Sequence, residues 1–135
     1  MSLIKLLPAW FHALADYAVG GLLIVVAISV GGSTGAVGTG IVVGATILVV
    51  SMLTRYPLGV IKVLPFTVHS AGDYLAAALL FASPFALKFN HSNAGLTAFY
   101  VAAGAAVLAV SLITNYQYGT KREWNVPVGA KAQTA

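Results

Sequence analysis

Two of the chain's three histidines and two of its three acidic residues fall in one repeated pattern, Pro-x-x-x-His-x-x-x-Asp-Tyr. The stretch "PAWFHALADYAVGGLL" carries Pro8, His12, Asp16 and Tyr17, and "PFTVHSAGDYLAAALL" carries Pro65, His69, Asp73 and Tyr74. His and Asp four residues apart share one helical face, about a turn apart, so each copy presents an imidazole beside a carboxylate. Three kinds of chemistry are open to such a pair. It can hold helices together by hydrogen bonds. It can ligate haem or a metal ion, with His12, Asp16, His69 and Asp73 as the donors, because imidazole and carboxylate are natural ligands. It can also mark a proton or ion path.

The elements that position these residues follow from composition. A chain that is 59% hydrophobic and 7% charged, with a mean hydropathy of +0.92, belongs to the membrane class. Four stretches, residues 9 to 31, 37 to 54, 67 to 87 and 94 to 114, have the length to cross about 30 Å of hydrocarbon at helical rise. The first could be taken for a signal peptide, but it is longer than a usual apolar core and carries His12 and Asp16, so it is read as retained. The absence of cysteine excludes disulfides, thiolate metal sites and a thiol nucleophile.

Lys5, Arg55, Lys62, Lys121, Arg122 and Lys131 fall on the side that holds both termini and the middle connector, against Lys88 alone on the other. The positive-inside rule then makes both termini cytoplasmic. Topology and anionic headgroups account for the basic pI of about 9.6, so nucleic acid is not an expected partner. Trp10, Tyr56, Phe66, Tyr116 and Trp124 are expected near the same boundary as an aromatic belt.

The repeat also covers the even spans, where "GATILVVSMLTRYPLG" from Gly44 matches "GAAVLAVSLITNYQYG" from Gly104. The unit is thus a helical hairpin used twice, repeat 1 over about 8–59 and repeat 2 over about 65–119. Two spans per unit return the chain to its starting side, so the copies are parallel and related by a pseudo-two-fold axis along the membrane normal. The expected fold is an all-α, integral membrane four-helix bundle over 1–118, followed by a polar cytoplasmic tail over 119–135.

"SLITNY" and its partner "SMLTRYPLGVIKVLPFTVHSAGDYLAAALLFASPFAL" resemble the bacterial SPW-repeat membrane proteins. The resemblance spans about residues 9 to 118 and implies a small inner-membrane protein of two helical hairpins, without implying a mechanism. Two departures stand out: Phe85 replaces the eponymous Trp, and the first copy has Val26-Ala27 where the second has Ser83-Pro84.

Asp16 and Asp73 are expected roughly 12 Å into their spans, where a charge costs about 2.5–3.5 kcal/mol and must face the bundle interior. The even spans bring Ser51, Thr54 and Tyr56, and Ser111, Thr114 and Tyr116, to that depth, with hydroxyls able to accept from His and donate to Asp. The resulting expectation is two symmetric clusters, one per repeat, with Tyr17 and Tyr74 at their edges and no bound cofactor. A metal or haem site is the alternative, weakened because His-x-x-x-Asp is a weak ligand signature and no third donor such as Glu is present. An ion path is weakened by the lack of a matching acid or base in the outer leaflet. Gly40, Gly44 and Gly104 are expected at close helix contacts, Gly40 and Gly44 serving either packing in the chain or association with a second copy or another membrane protein. His91 belongs to the outer loop "KFNHSNAG", and Pro84 should kink or end the third span. No phosphate-binding glycine loop, nucleophile elbow or zincin motif is present, and the chain is read as no enzyme, with the lipid bilayer as its main partner.

Overall fold

The computed structural model describes residues 8–55 and 57–114. They form four helices, α1 (Ala9–Val30), α2 (Thr34–Leu53), α3 (Phe66–Ala86) and α4 (Ala94–Ile113). Pro8 and Pro65 immediately precede α1 and α3, where a missing N–H leaves no intrahelical bond unmade. α2 and α4 begin on side-chain caps: Ser33 Oγ accepts from the Ala36 N–H at 3.1 Å, and Asn93 Oδ1 accepts from the Leu96 N–H at 3.2 Å. Asn93 also ties the α1–α2 and α3–α4 loops together, donating from Nδ2 to the Gly31 carbonyl at 2.8 Å. A Cβ at Gly32 would lie 2.3 Å from that nitrogen, so the bond requires glycine there.

At the other end the α2–α3 connector folds back on the last turn of α2. The Val60 and Ile61 N–H groups donate to the Met52 carbonyl, and the Leu64 N–H to that of Leu53, satisfying carbonyls that a helix end leaves open. Pro84 sits inside α3, which ends two residues later at Ala86.

The helices pack in a ring in chain order, tightly within each hairpin and more loosely between hairpins, with α1/α3 and α2/α4 as the diagonals. Burial follows the repeat position by position. In α1 the buried set is Ala9, His12, Ala13, Asp16, Gly20, Leu23 and Ala27, and in α3 it is Phe66, His69, Ser70, Asp73, Ala77, Leu80 and Pro84, the same register throughout. In α4, Leu96, Tyr100, Gly104, Val107 and Ser111 repeat Ala36, Gly40, Gly44, Ile47 and Ser51 of α2. This matched burial is the signature of a pseudo-two-fold bundle.

α1, α2 and α4 are long and apolar enough to cross a membrane. α3 matches them in length at 21 residues but falls short in apolarity, because His69, Ser70, Asp73 and Tyr74 are concentrated in its first half. All four expected stretches thus form helices of spanning length, three of them apolar enough to cross by composition as well. Large apolar side chains nevertheless face outward on every helix, among them Val25, Ile28, Val42, Leu75, Leu79 and Val101.

Glycine sets the closest approaches. A Cβ at Gly44 would come 2.6 Å from the Gly20 carbonyl oxygen, so α1 and α2 meet backbone to backbone. At the equivalent contact of the second hairpin, a Cβ on Gly104 would lie 3.2 Å from the Ala77 carbonyl oxygen. The symmetry breaks at Gly40, whose counterpart is Tyr100. The Tyr100 ring lies in the half of the bundle where α2 and α4 begin, donates its hydroxyl to the Ala36 carbonyl, and occupies space that a Cβ at Gly40 would contest at 2.6 Å. That Cβ would also meet Ala27 Cβ at 2.4 Å and the Leu23 carbonyl oxygen at 2.7 Å. Gly40→Ala is therefore expected to destabilise by about 1–3 kcal/mol, as overpacking does. A loss of midpoint in thermal unfolding of the solubilised protein measures it, and an unchanged midpoint would refute the close fit.

A buried histidine–aspartate centre on the bundle axis

The repeated His and Asp residues come from the first two turns of α1 and α3, on the faces those helices turn toward the axis. Exposure is 1% for both His12 and His69, 6% for Asp16 and 5% for Asp73. The four converge. Asp16 Oδ2 lies 2.9 Å from His69 Nε2 and 3.3 Å from His12 Nε2. Asp73 Oδ2 lies 2.9 Å from His12 Nε2, and its Oδ1 lies 3.1 Å from His69 Nε2. In both cases the shorter contact runs across the axis to the other hairpin, and the longer one stays on the helix. The expectation of two clusters, one per repeat, is thus corrected to a single reciprocal centre. Face-sharing at four residues brings His and Asp of one helix near each other, but the two-fold brings the opposite pair nearer.

The outward ring nitrogens also reach across, each to the even helix of the other repeat. His69 Nδ1 lies 2.7 Å from Thr54 Oγ1, and His12 Nδ1 lies 2.8 Å from Thr114 Oγ1. Each threonine donates its single hydroxyl proton to the carbonyl four residues back, Thr54 to Val50 at 2.6 Å and Thr114 to Val110. A hydroxyl so committed can only accept from the imidazole, so each Nδ1 carries a proton and each Nε2 is the atom turned to the carboxylates. The threonines accept from His as their type suggests, but they donate to their own helices and not to Asp.

The remaining hydroxyls divide. Ser51 and Ser111 are fully buried one turn before the threonines, yet their Oγ atoms have no hydrogen-bond partner among the described residues. They do not join the His/Asp centre. Tyr17 points away as well, donating to the Leu58 carbonyl at 2.8 Å and fastening α1 to the connector. Tyr74 is half-buried beside Asp73 in sequence and is not one of the four converging groups. Tyr56 and Tyr116 lie outside the described residues, as does the tail over 119–135. His91 is exposed in the α3–α4 loop.

One residue of the centre escaped the sequence reading. Phe66, expected in the aromatic belt, is fully buried and sets its ring edge-on to both imidazoles, with centroids 5.3 Å from His12 and 5.8 Å from His69. With Ala9 and Ala13 it forms a small apolar layer on the side of the polar groups where α1 and α3 begin, while Leu23, Val43, Ile47, Leu80 and Tyr100 pack on the other side. The signal lay in the repeat: Phe66 stands where the first copy has Ala9, so one ring covers both copies. A cavity of about 140 Å³ between α2 and α3, lined mainly by Val43, Ile47, Val50, Ala76 and Leu79, has His69 and Asp73 in its wall.

Chemically, the centre can hold protons or a cation between two imidazoles and two carboxylates. It does not suit haem: the imidazole centroids are 5.5 Å apart, inclined at 73°, and both Nε2 atoms already face carboxylates, which leaves no slot for a macrocycle. No protein-family model matches this chain, and neither does any curated protein or solved structure.

Proposed function

We propose that this chain is a non-enzymatic, multi-pass protein of the bacterial inner membrane, of the SPW-repeat kind, in which the His12/Asp16/His69/Asp73 centre fastens two like hairpins into one bundle. The observation that carries this reading is the crossing of the two shortest contacts, His12 to Asp73 and His69 to Asp16, each 2.9 Å and each joining one hairpin to the other. Lipid surrounding the bundle gives apolar faces little reason to associate, so polar bonds and close packing supply the cohesion. Hairpins that pack loosely against each other need such a bond most.

The outward-facing apolar residues support a lipid surround, and so does the connector. Leu58, Val60, Ile61 and Val63 are exposed there beside Arg55 and Lys62, the mixture that suits a headgroup interface. α3 crosses with the others because it runs the same length between the same two ends of the bundle. Both termini and the connector then face the cytoplasm.

The lack of cysteine makes the topology directly measurable. In intact cells, Ser92→Cys in the outer loop is expected to react with a membrane-impermeant thiol reagent, and Val60→Cys in the connector only after permeabilisation. Labelling of Val60→Cys from outside would sink the orientation and the parallel hairpins with it.

A further inference from the structure

The geometry points to a closed, four-coordinate site for a divalent transition-metal ion, with Zn²⁺ the best fit, held by His12 Nε2, His69 Nε2 and one oxygen each of Asp16 and Asp73. It goes beyond the fastening role proposed above, because hydrogen bonds alone would suffice for that role.

Three observations carry it. The first is spacing. Donors about 2.0–2.1 Å from a central Zn²⁺ stand about 3.3 Å apart at the corners of a tetrahedron. Asp16 Oδ2 and Asp73 Oδ2 make His–Asp contacts of 2.9, 2.9 and 3.3 Å, Asp73 Oδ1 makes the fourth at 3.1 Å, and one donor atom from each of the four residues can be chosen so that all lie within 4.8 Å of one another. Reaching a tetrahedron takes a slight lengthening of the short contacts and a drawing-in of the widest separation, both within the reach of side-chain rotation.

The second is what stands behind the donors. A metal-binding imidazole nearly always gives its other N–H to an oxygen, which fixes the tautomer and aims the ring. His12 and His69 both do this, to Thr114 and Thr54, and each threonine is itself fixed by its bond to a helix carbonyl. Nε2 is thereby left as the donor facing inward on both rings. Hydrogen bonding between His and Asp does not by itself require that second layer on both copies.

The third is charge and donor type. Two neutral imidazoles, two carboxylates and one divalent cation sum to zero, which a buried site at this depth requires. Two nitrogens and two oxygens suit Zn²⁺ and its first-row neighbours. Calcium and magnesium want six or more oxygens, which the centre does not offer. With four protein donors and Phe66 packed over the imidazoles, the site has the closed form of a structural one.

The test uses tag-free, full-length protein in detergent micelles, stripped with a chelator and titrated with Co²⁺, whose four-coordinate complexes absorb strongly in the visible. One Co²⁺ per chain is expected, with those bands, and displacement by Zn²⁺. Asp73→Asn should abolish the bands and His91→Ala should leave them unchanged. Should Asp73→Asn fail to fold, Thr54→Val with Thr114→Val provides the reading: metal affinity weaker by about 10–100-fold, with helix content retained. Failure of the folded wild type to bind one equivalent, a pale six-coordinate spectrum, or bands that survive Asp73→Asn would each overturn the assignment. None of these results bears on the labelling of Val60→Cys and Ser92→Cys, so the metal site and the membrane topology fail separately.

Discussion

Asp16→Leu is expected to destabilise the bundle by about 3–5 kcal/mol, the cost of removing one partner from a buried ionic group. The substitution strips His69 of its 2.9 Å contact and His12 of its 3.3 Å one, leaving Asp73 to serve both imidazoles. Leucine offers no acceptor in return, and a buried polar group left unbonded costs its full desolvation. Asp16→Asn keeps an amide oxygen in nearly the same place and can accept one hydrogen bond, so its loss should be smaller by at least about 1 kcal/mol. The pseudo-symmetry extends this to Asp73→Leu and Asp73→Asn, which should follow the same order. Denaturant or thermal unfolding of the solubilised protein, followed by circular dichroism, measures the difference. Equal losses for Asn and Leu would show that the negative charge of Asp16, and not its hydrogen bonding, holds the centre together.

Much of this was legible in the chain itself. Helical length, apolarity and the duplicated motif specify four helices, their pairing into hairpins, and which faces turn inward, because a residue and its repeat must occupy equivalent environments. The partners across the axis were harder to read. Spacing places His12 and Asp16 on one face but does not say whether that face meets an even helix or its own copy. The latter prevails because like faces converge on a two-fold axis. Tyr17 shows another limit: its type and position repeat in Tyr74, but spacing alone does not say that its hydroxyl donates to the Leu58 carbonyl in the α2–α3 connector. The departures from the repeat were the most informative signals and the easiest to pass over. Tyr100 fills what its counterpart Gly40 leaves open, and Phe66 covers both imidazoles where its counterpart is Ala9.

The quadruple replacement His12→Met, Asp16→Leu, His69→Met, Asp73→Leu should recover most of the 3–5 kcal/mol that the single Asp16→Leu forfeits, ending within about 1 kcal/mol of the wild type. Removing one member strands charges, whereas removing all four leaves side chains of similar volume between apolar layers already built from Ala13, Phe66, Leu23 and Leu80. The threonines tolerate the change because each keeps its bond to Val50 or Val110. What the apolar variant gives up is specificity. Two hairpins with matching buried faces can pair within one chain or with the hairpin of a second chain, and reciprocal bonds at a fixed depth favour one register where smooth apolar faces do not. Gel filtration of the quadruple variant is therefore expected to show swapped dimers beside monomers at near-wild-type thermal stability, together with no Co²⁺ bands. A variant as unstable as Asp16→Leu would mean that the centre's bonds supply net stability outright, and a strictly monomeric one would mean that helix packing alone chooses the partner. Near-wild-type stability with lost metal and lost uniqueness would identify the reason so apolar a chain carries these four groups: they select one assembly and provide one binding site.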